Sequence, residues 1–318
     1  MADTTSSDMP SDLFYVINYS LKFVVTLIGL VFGFIIILTV IFKQQCHTVA
    51  NLLVCSTCLG TIGHMTIAFV AAMYGVGDHW AWAEPYCTIR GYLSVSFIGT
   101  MCYSYSLQAV SRMFFAVFYK YPYLLSMRTH LIMVIVNWCL GFSVAAIPLL
   151  FYERGYGLEI ESRACIMSSK VFGAAMFASI FSYSIPLGIV TLVYGVIFYQ
   201  VRQSSRRVTA FNDTSNSNLT RTNAKRELRI ARQLVQQSGC LLGAGGLYLV
   251  NMFWQKFTTI PLPKPMYLVG FTIMTNMFSL MIVFQFFMNK SVREIVYRRF
   301  RKNNDRTTDM TINFTQRI

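Results

Sequence analysis

The chain has 318 residues, of which 55% are hydrophobic and 13% charged, with a mean hydropathy of +0.49 and a formal net charge of +14. A soluble domain carries about a quarter charged residues, so a fold surrounded by water is excluded. A nucleic-acid partner is excluded as well, because the basic residues follow the loops on one side of a series of apolar runs rather than forming one patch. Each of seven such runs holds the roughly 20 residues with which a helix crosses about 30 Å of hydrocarbon, and the alternating ~10-residue segments of a membrane β-barrel are absent. The expected fold is all-α: a seven-transmembrane-helix bundle that occupies residues 23–289.

Residues 1–22 read as an N-terminal tail with Asp3, Asp8 and Asp12 and without the pattern of a removable signal peptide, so the first span is expected to act as its own insertion signal. Asn18-Tyr19-Ser20 matches a glycosylation sequon, close to the membrane. The spans run from Val24 to Phe42, Thr48 to Gly77, Gly91 to Ser111, Leu131 to Tyr152, Val171 to Val201, Gln233 to Gln255 and Pro265 to Asn289. Arg112 closes the third span. A charge at the end of a long apolar helix is costly unless it snorkels or finds a partner, so it reads either as an interfacial anchor or as a functional group. In the fifth span Pro186 removes a helix hydrogen bond and should kink or loosen the helix. Residues 203–223, rich in Ser, Thr, Asn and Arg, read as a mobile inner loop with basic helical extensions on both sides. The sixth span carries Gly243-Ala244-Gly245-Gly246, which suits either flexibility or close helix approach. Residues 290–301 set Val292, Ile295, Val296 and Phe300 opposite Arg293, Arg298, Arg299 and Arg301, as in an amphipathic helix lying in the interface. A tail from 302 to 318 contains Thr307, Thr308, Thr311 and Thr315, candidate phosphorylation sites.

Charge sets the orientation. With the N-terminus outside, the exterior holds Lys22, Arg90, Arg154, Arg163, Lys170, Lys256 and Lys264 against eight acids, and the other 20 of the 27 bases face five acids inside. The positive-inside rule favours this arrangement, with the C-terminus cytoplasmic. Five cysteines, Cys55, Cys58, Cys102, Cys139 and Cys240, lie within spans and Cys46 at the first inner loop, where they read as small buried hydrophobes. The Cys55/Cys58 pair has no second pair or ligating His near it, so no metal is expected. Cys87 and Cys165 fall on the outer side, in an oxidising compartment, and a disulfide between them would pin the second outer loop across the bundle.

In order along these spans, Trp80-Ala81-Trp82 precedes Cys87, Arg112 follows Cys87 by 25 positions, Trp138 and Pro148 stand ten apart, and Pro186 and Tyr194 eight apart. Met288-Asn289-Lys290-Ser291-Val292-Arg293 follows the seventh span. In these features the chain resembles the rhodopsin-like (class A) G-protein-coupled receptors, from about Gly33 to Phe300. The resemblance implies a plasma-membrane receptor that passes an outer stimulus to a heterotrimeric G protein, with no enzyme activity and no cofactor. It pairs Cys87 with Cys165 and makes Arg112 the G-protein contact. It also places Glu227 where an acid would hold that Arg at rest, and it implies that Tyr194 swings toward Arg112 when the helices rearrange. Trp138 and Pro148 read as packing and shape features.

Departures from the family pattern are as informative. Ser111 stands in place of the Asp before Arg112, Phe34 in place of the first span's Asn, and Thr61 at the sodium-binding Asp of the second span. Gly245 and Leu247 occupy the sixth span's Trp and Pro positions, and Met281 to Gln285 the place of the seventh span's Asn-Pro-x-x-Tyr. A depleted polar network in the inner half is therefore expected. In the same register Ser94 replaces the Asp that binds amines, which disfavours an amine ligand, and Thr275 replaces the Lys that links retinal, which excludes a Schiff base there. Val95, Ile98, Ser179, Ser182, Tyr248, Met252 and Phe271 complete the outer cavity that the resemblance implies, a mostly apolar lining that ordinary bundle packing would also give. Glu153, Glu159 and Glu161 read as a solvated acidic loop or as an attraction for a basic ligand. A transporter or channel is the rival function. The spans show no inverted repeat and little buried charge, His64, Gln236 and Gln237 being their main polar groups. A degenerate receptor without signalling is the third reading. An enzyme is disfavoured, since no nucleophile, base and orienting group converge in any segment.

Overall fold

The computed structural model describes residues 12–76, 86–152, 155–160, 162–168, 171–211, 217–258, 262–263 and 265–299, with only the backbone described for 201–211 and 217–235. Its helices are α1 (Asp12–Phe42), α2 (Val49–Val76), α3 (Tyr86–Ala116), α4 (Met127–Phe151), α5 (Phe172–Ala178), α6 (Ile185–Phe211), α7 (Ser217–Phe257) and α8 (Pro265–Met288), and residues 290–299 form a further helix, α9. A π-helical segment, Ser179–Ser184, joins α5 to α6, so the two are halves of one span. The seven spans are thus α1 to α4, α5 with α6, α7 and α8.

Among the described residues, five spans are long and apolar enough to cross a membrane by length and composition: Asp12–Phe42, Val49–Val76, Met127–Phe151, Phe172–Gln200 and Pro265–Met288. The third span differs for a structural reason. α3 runs through the middle of the bundle and buries Ser94, Ser96, Thr100, Ser104, Ser106, Gln108 and Ser111. Several of these hydroxyls are satisfied by the carbonyl one turn earlier, as Thr100 Oγ1 is by Ser96 O at 2.9 Å. A helix surrounded by other helices need not be apolar on any face, provided its polar groups find partners.

Two boundaries and one placement differ from the sequence reading. α1 begins at Asp12 rather than near residue 23, because its buried stripe Tyr15, Tyr19, Lys22, Thr26, Gly29, Gly33 keeps the three- and four-residue spacing of a packed face beyond the apolar run. Tyr19 donates its hydroxyl to the Ser162 carbonyl, and Arg163 bridges to Asp12 at 2.7 Å and lies 4.0 Å over the Tyr15 ring. Those contacts dock the start of α1 against the outer loop. Between the fifth and sixth spans the backbone is helical to Phe211 and again from Ser217, so helix covers most of the expected 203–223 loop. Lys22, counted above among the exterior bases, is completely buried in the bundle.

The outer loop folds as an antiparallel hairpin of β1 (Tyr156–Glu159) and β2 (Ala164–Met167), with Leu158 opposite Cys165. The Cys87–Cys165 disulfide, Cα atoms 5.0 Å apart, fastens β2 to the outer end of α3, and Tyr156 donates to the Ala145 carbonyl at 2.8 Å. Burial of that phenol raises its pKa above the ordinary tyrosine range. The hairpin is therefore a roof over the bundle. At the inner side, Asn289 donates to Asn51 Oδ1 at 2.8 Å, and its own Oδ1 accepts from the Val292 amide, which caps the start of α9 and ties it to α2. Val292 is fully buried against Ile36, Val40 and Cys46, the apolar side of the amphipathic helix expected there.

Candidate functional site

Two places carry the predicted functional residues, one at each end of α3. The outer one is a cavity of about 1010 Å3, open mouth included, beneath the hairpin roof. Ser94, Val95, Ile98, Ser179, Ser182, Tyr248, Met252 and Phe271, eight of the nine candidate pocket residues, line it together. The ninth, Thr275, does not: it is fully buried one turn below Phe271 and donates to that residue's carbonyl at 3.0 Å. Its side chain is turned into the helix packing, so it is withdrawn from the lining.

Local structure explains why α5 and α6 supply two hydroxyls to the cavity. Pro186 has no amide to give the residue four positions earlier, and the chain widens into the π segment just before it. Ser106 Oγ donates to the Pro186 carbonyl at 2.9 Å, which fixes the join against α3. The expected loosening at Pro186 takes the form of this wide turn, and Ser179 and Ser182 within it face the cavity. Across from them Gly245 lies directly under the Tyr183 ring, whose hydroxyl donates to the Leu241 carbonyl at 2.7 Å. Of the two readings of the glycine cluster, close approach is the one realised at Gly245, whereas Gly246 faces open space.

The polar groups of the cavity are few. Ser94 is bonded to His64 Nδ1 at 3.2 Å. Among the described residues, the hydroxyls of Ser182 and Tyr248 and the side-chain amide nitrogen of Gln255 are buried without a hydrogen-bond partner. Such groups cost free energy unless a ligand or water completes them. Glu159 also lines the cavity, and Ser162 donates to its carboxylate at 3.0 Å. It is buried at the turn end of the hairpin, not solvated as the acidic loop reading had it. Glu153 and Glu161 lie outside the described residues.

At the inner end Arg112 donates to the Tyr194 hydroxyl at 2.6 Å, and its guanidinium is 5.8 Å from that ring's centroid. The approach expected only on rearrangement is the one present. Glu227 belongs to α7 by its backbone, but its side chain lies outside the described residues, so the Arg112–Glu227 pairing does too. Ser111 turns away from Arg112 and bonds to His130 Nε2 at 2.9 Å, a contact with α4 that sequence reasoning missed. Polar contacts that the sequence reading did not name lie between α2, α3 and α4. Gln108 donates to Thr57 at 2.7 Å, Asn137 to Ser104 at 2.8 Å, and the Trp138 indole to Ser56 at 3.1 Å, linking α2, α3 and α4. Thr61 is fully buried and donates to the Thr57 carbonyl at 2.8 Å. No cluster of His, Cys, Asp and Glu able to hold a metal occurs among the described residues.

Comparison with known proteins matches residues 33–312 to the family model described as 7 transmembrane receptor (rhodopsin family). Curated relatives include the D(3) dopamine receptor of Mus musculus, 24% identical over 231 residues that cover 70% of this chain and 48% of that protein. They also include the D(2) dopamine receptor A of Xenopus laevis (25% identical; 60% and 42% covered) and the Alpha-1A adrenergic receptor of Oryzias latipes (23%; 57% and 38%). The chain thus spans about half or less of the length of these relatives. Among solved structures, squid rhodopsin superposes with a TM-score of 0.78 at 15% identity, over 94% of this chain and 89% of that one, a likeness of fold.

Proposed function

Since the chain belongs to the rhodopsin family of seven-transmembrane receptors, and so to a family of multi-pass plasma-membrane proteins, we propose that it is a ligand-activated receptor with its N-terminus outside. A ligand in the outer cavity shifts the helix arrangement around Arg112, and the inner face engages a heterotrimeric G protein. One observation carries this reading. The span built from α5 and α6 contributes Ser179 and Ser182 to the cavity wall and, further inward, Tyr194 to the contact with Arg112. A stimulus that changes the wide turn at one end therefore acts on a rigid helix whose other end holds the inner arginine, the two-state arrangement that a switch requires.

The ligand class of the dopamine and adrenergic relatives does not transfer. At Ser94 this chain has a hydroxyl bonded to His64 in place of a carboxylate, so a salt-bridged amine on α3 is disfavoured, and Thr275 offers no amine for a retinal Schiff base. Signalling of this kind needs no catalytic arrangement in the chain itself. The test is a second-messenger screen across G-protein subtypes in cells expressing the chain. The expected outcome is a signal that Arg112→Ala abolishes and Glu227→Ala raises, at equal surface expression. Ion or solute flux that survives Arg112→Ala would favour a transporter. Surface-expressed protein silent with every G protein would favour the non-signalling receptor that the missing sixth- and seventh-span motifs suggest.

A further inference from the structure

Lys22 is the most anomalous side chain in the bundle. It belongs to the buried stripe of α1, is fully inaccessible, and its ammonium has no hydrogen-bond or ion-pair partner among the described residues. Its closest described company is aromatic, with Nζ 3.4 Å from the centroid of Phe271 and 5.7 Å from that of Tyr19. A cation–π contact offsets only part of the cost of taking an ammonium out of water, and a buried charge normally has a paired anion. Other polar groups on α1, α2 and α8 have the same defect. Thr26, His64 Nε2 and Thr272 are buried and without a hydrogen-bond partner among the described residues, and His64 lies within electrostatic reach of Lys22. The ammonium can only donate, whereas the two hydroxyls and the imidazole nitrogen can donate or accept, and no described carboxylate pairs with the ammonium.

Lys22 adjoins the outer cavity through Phe271, whose ring meets the lysine and which also lines the cavity. The cavity is otherwise mainly apolar, lined by Val95, Ile98, Met252, Met274 and Phe278. Glu159 stands at its hairpin roof, so an anionic group would be repelled there and drawn toward α1 and α8. We infer that the cavity binds an amphiphilic carboxylate, with its apolar body among α3, α7 and α8 and its carboxylate passing the Phe271 ring to the ammonium of Lys22. The inference rests on the cavity being the ligand site, and it assigns the ligand's class. Rotation of Phe271 exchanges the cation–π contact for a charge-assisted pair, the stronger of the two in a dry site. Ligand entry is thereby coupled to a rearrangement between α1 and α8.

The test uses the full chain in nanodiscs of zwitterionic phosphatidylcholine, with binding read directly and no G protein present, so a failure of signalling does not bear on it. Dodecanoate is compared with dodecanol and dodecyltrimethylammonium, which share its apolar body. The expected result is at least about tenfold preference for the carboxylate, lost in Lys22→Met and partly kept in Lys22→Arg. Lys22→Met should also raise the melting temperature of the unliganded receptor, since it removes a buried amino group without a hydrogen-bond partner among the described residues and keeps the length of the side chain. Equal affinity for dodecanoate and dodecanol in the wild type would overturn the proposal, as would unchanged dodecanoate affinity in Lys22→Met. A Lys22→Met protein less stable than wild type without ligand would assign the lysine a structural role instead, and would equally overturn it.

Discussion

Replacing Tyr194 with Phe removes one atom from the inner switch and leaves the rest in place. The ring that Arg112 approaches to 5.8 Å stays, and only the hydroxyl that accepts from the guanidinium at 2.6 Å is lost. Tyr194 is 3% exposed and Arg112 is half-buried, so water replaces the lost acceptor poorly. A hydrogen bond to a charged group in such a place contributes about 1.5–3 kcal/mol, against about 0–1 kcal/mol for an exposed ion pair. If the contact exists only in the signalling arrangement, its whole worth biases the equilibrium, and the ratio of signalling to resting receptor falls by roughly 10- to 100-fold. The assay is agonist-free GTPγS uptake by a supplied G protein on membranes of matched receptor density. It is run for Tyr194→Phe alone and in a Glu227→Ala background, where the basal signal is expected to be high. Tyr194→Phe should lower the signal in both backgrounds. Signalling by the double variant equal to that of Glu227→Ala would refute the reasoning, because the hydroxyl would then contribute equally to both arrangements or to neither.

Neighbouring glycines of α7 should respond with opposite signs. A Cβ at Gly245 would stand within 2.7 Å of three Tyr183 ring carbons, so Gly245→Ala should cost about 1–3 kcal/mol of stability, whereas Gly246→Ala, with nothing within 4 Å, should gain up to about 1 kcal/mol from helix propensity. Thermal melts of the purified receptor compare the two directly. Replacing Cys87 or Cys165 with Ser should sharply reduce surface expression, measured by flow cytometry, because the hairpin roof loses its attachment to α3. Two free thiols in native protein by mass spectrometry would contradict this roof. Exchanging sodium for potassium at constant ionic strength should leave the melting temperature and basal signal unchanged. Thr61 offers a hydroxyl already committed to the Thr57 carbonyl, and a hard cation needs charged oxygen ligands.

Apolar runs almost free of charge located the seven spans, although among the described residues only five pass as membrane-crossing by length and composition. The loop charges supplied the orientation adopted in the proposal. Both signals are sums over neighbouring residues and need no knowledge of packing. Cys87 and Cys165 could be singled out by their depth in the sequence, and Arg112 by its position at a span's end. Eight cavity residues were placed by register, since a helix of fixed pitch carries a position from one end of a span to the other. What the sequence did not determine was which face each polar residue presents and to what. Lys22 counted as an exterior base because it precedes the first apolar run. The spacing from Tyr15 through Tyr19, Lys22 and Thr26 to Gly29 and Gly33 already marked it as part of a packed face. Glu159 sat among three loop acids, and only the hairpin and its disulfide set it into the cavity wall. The partners of Ser111, Gln108 and Asn137 belong to other helices and are separated from them by 19 to 51 positions in sequence. A side chain's burial and hydrogen bonding are settled by the helix that comes to lie beside it, and the order of residues along one helix does not contain that neighbour.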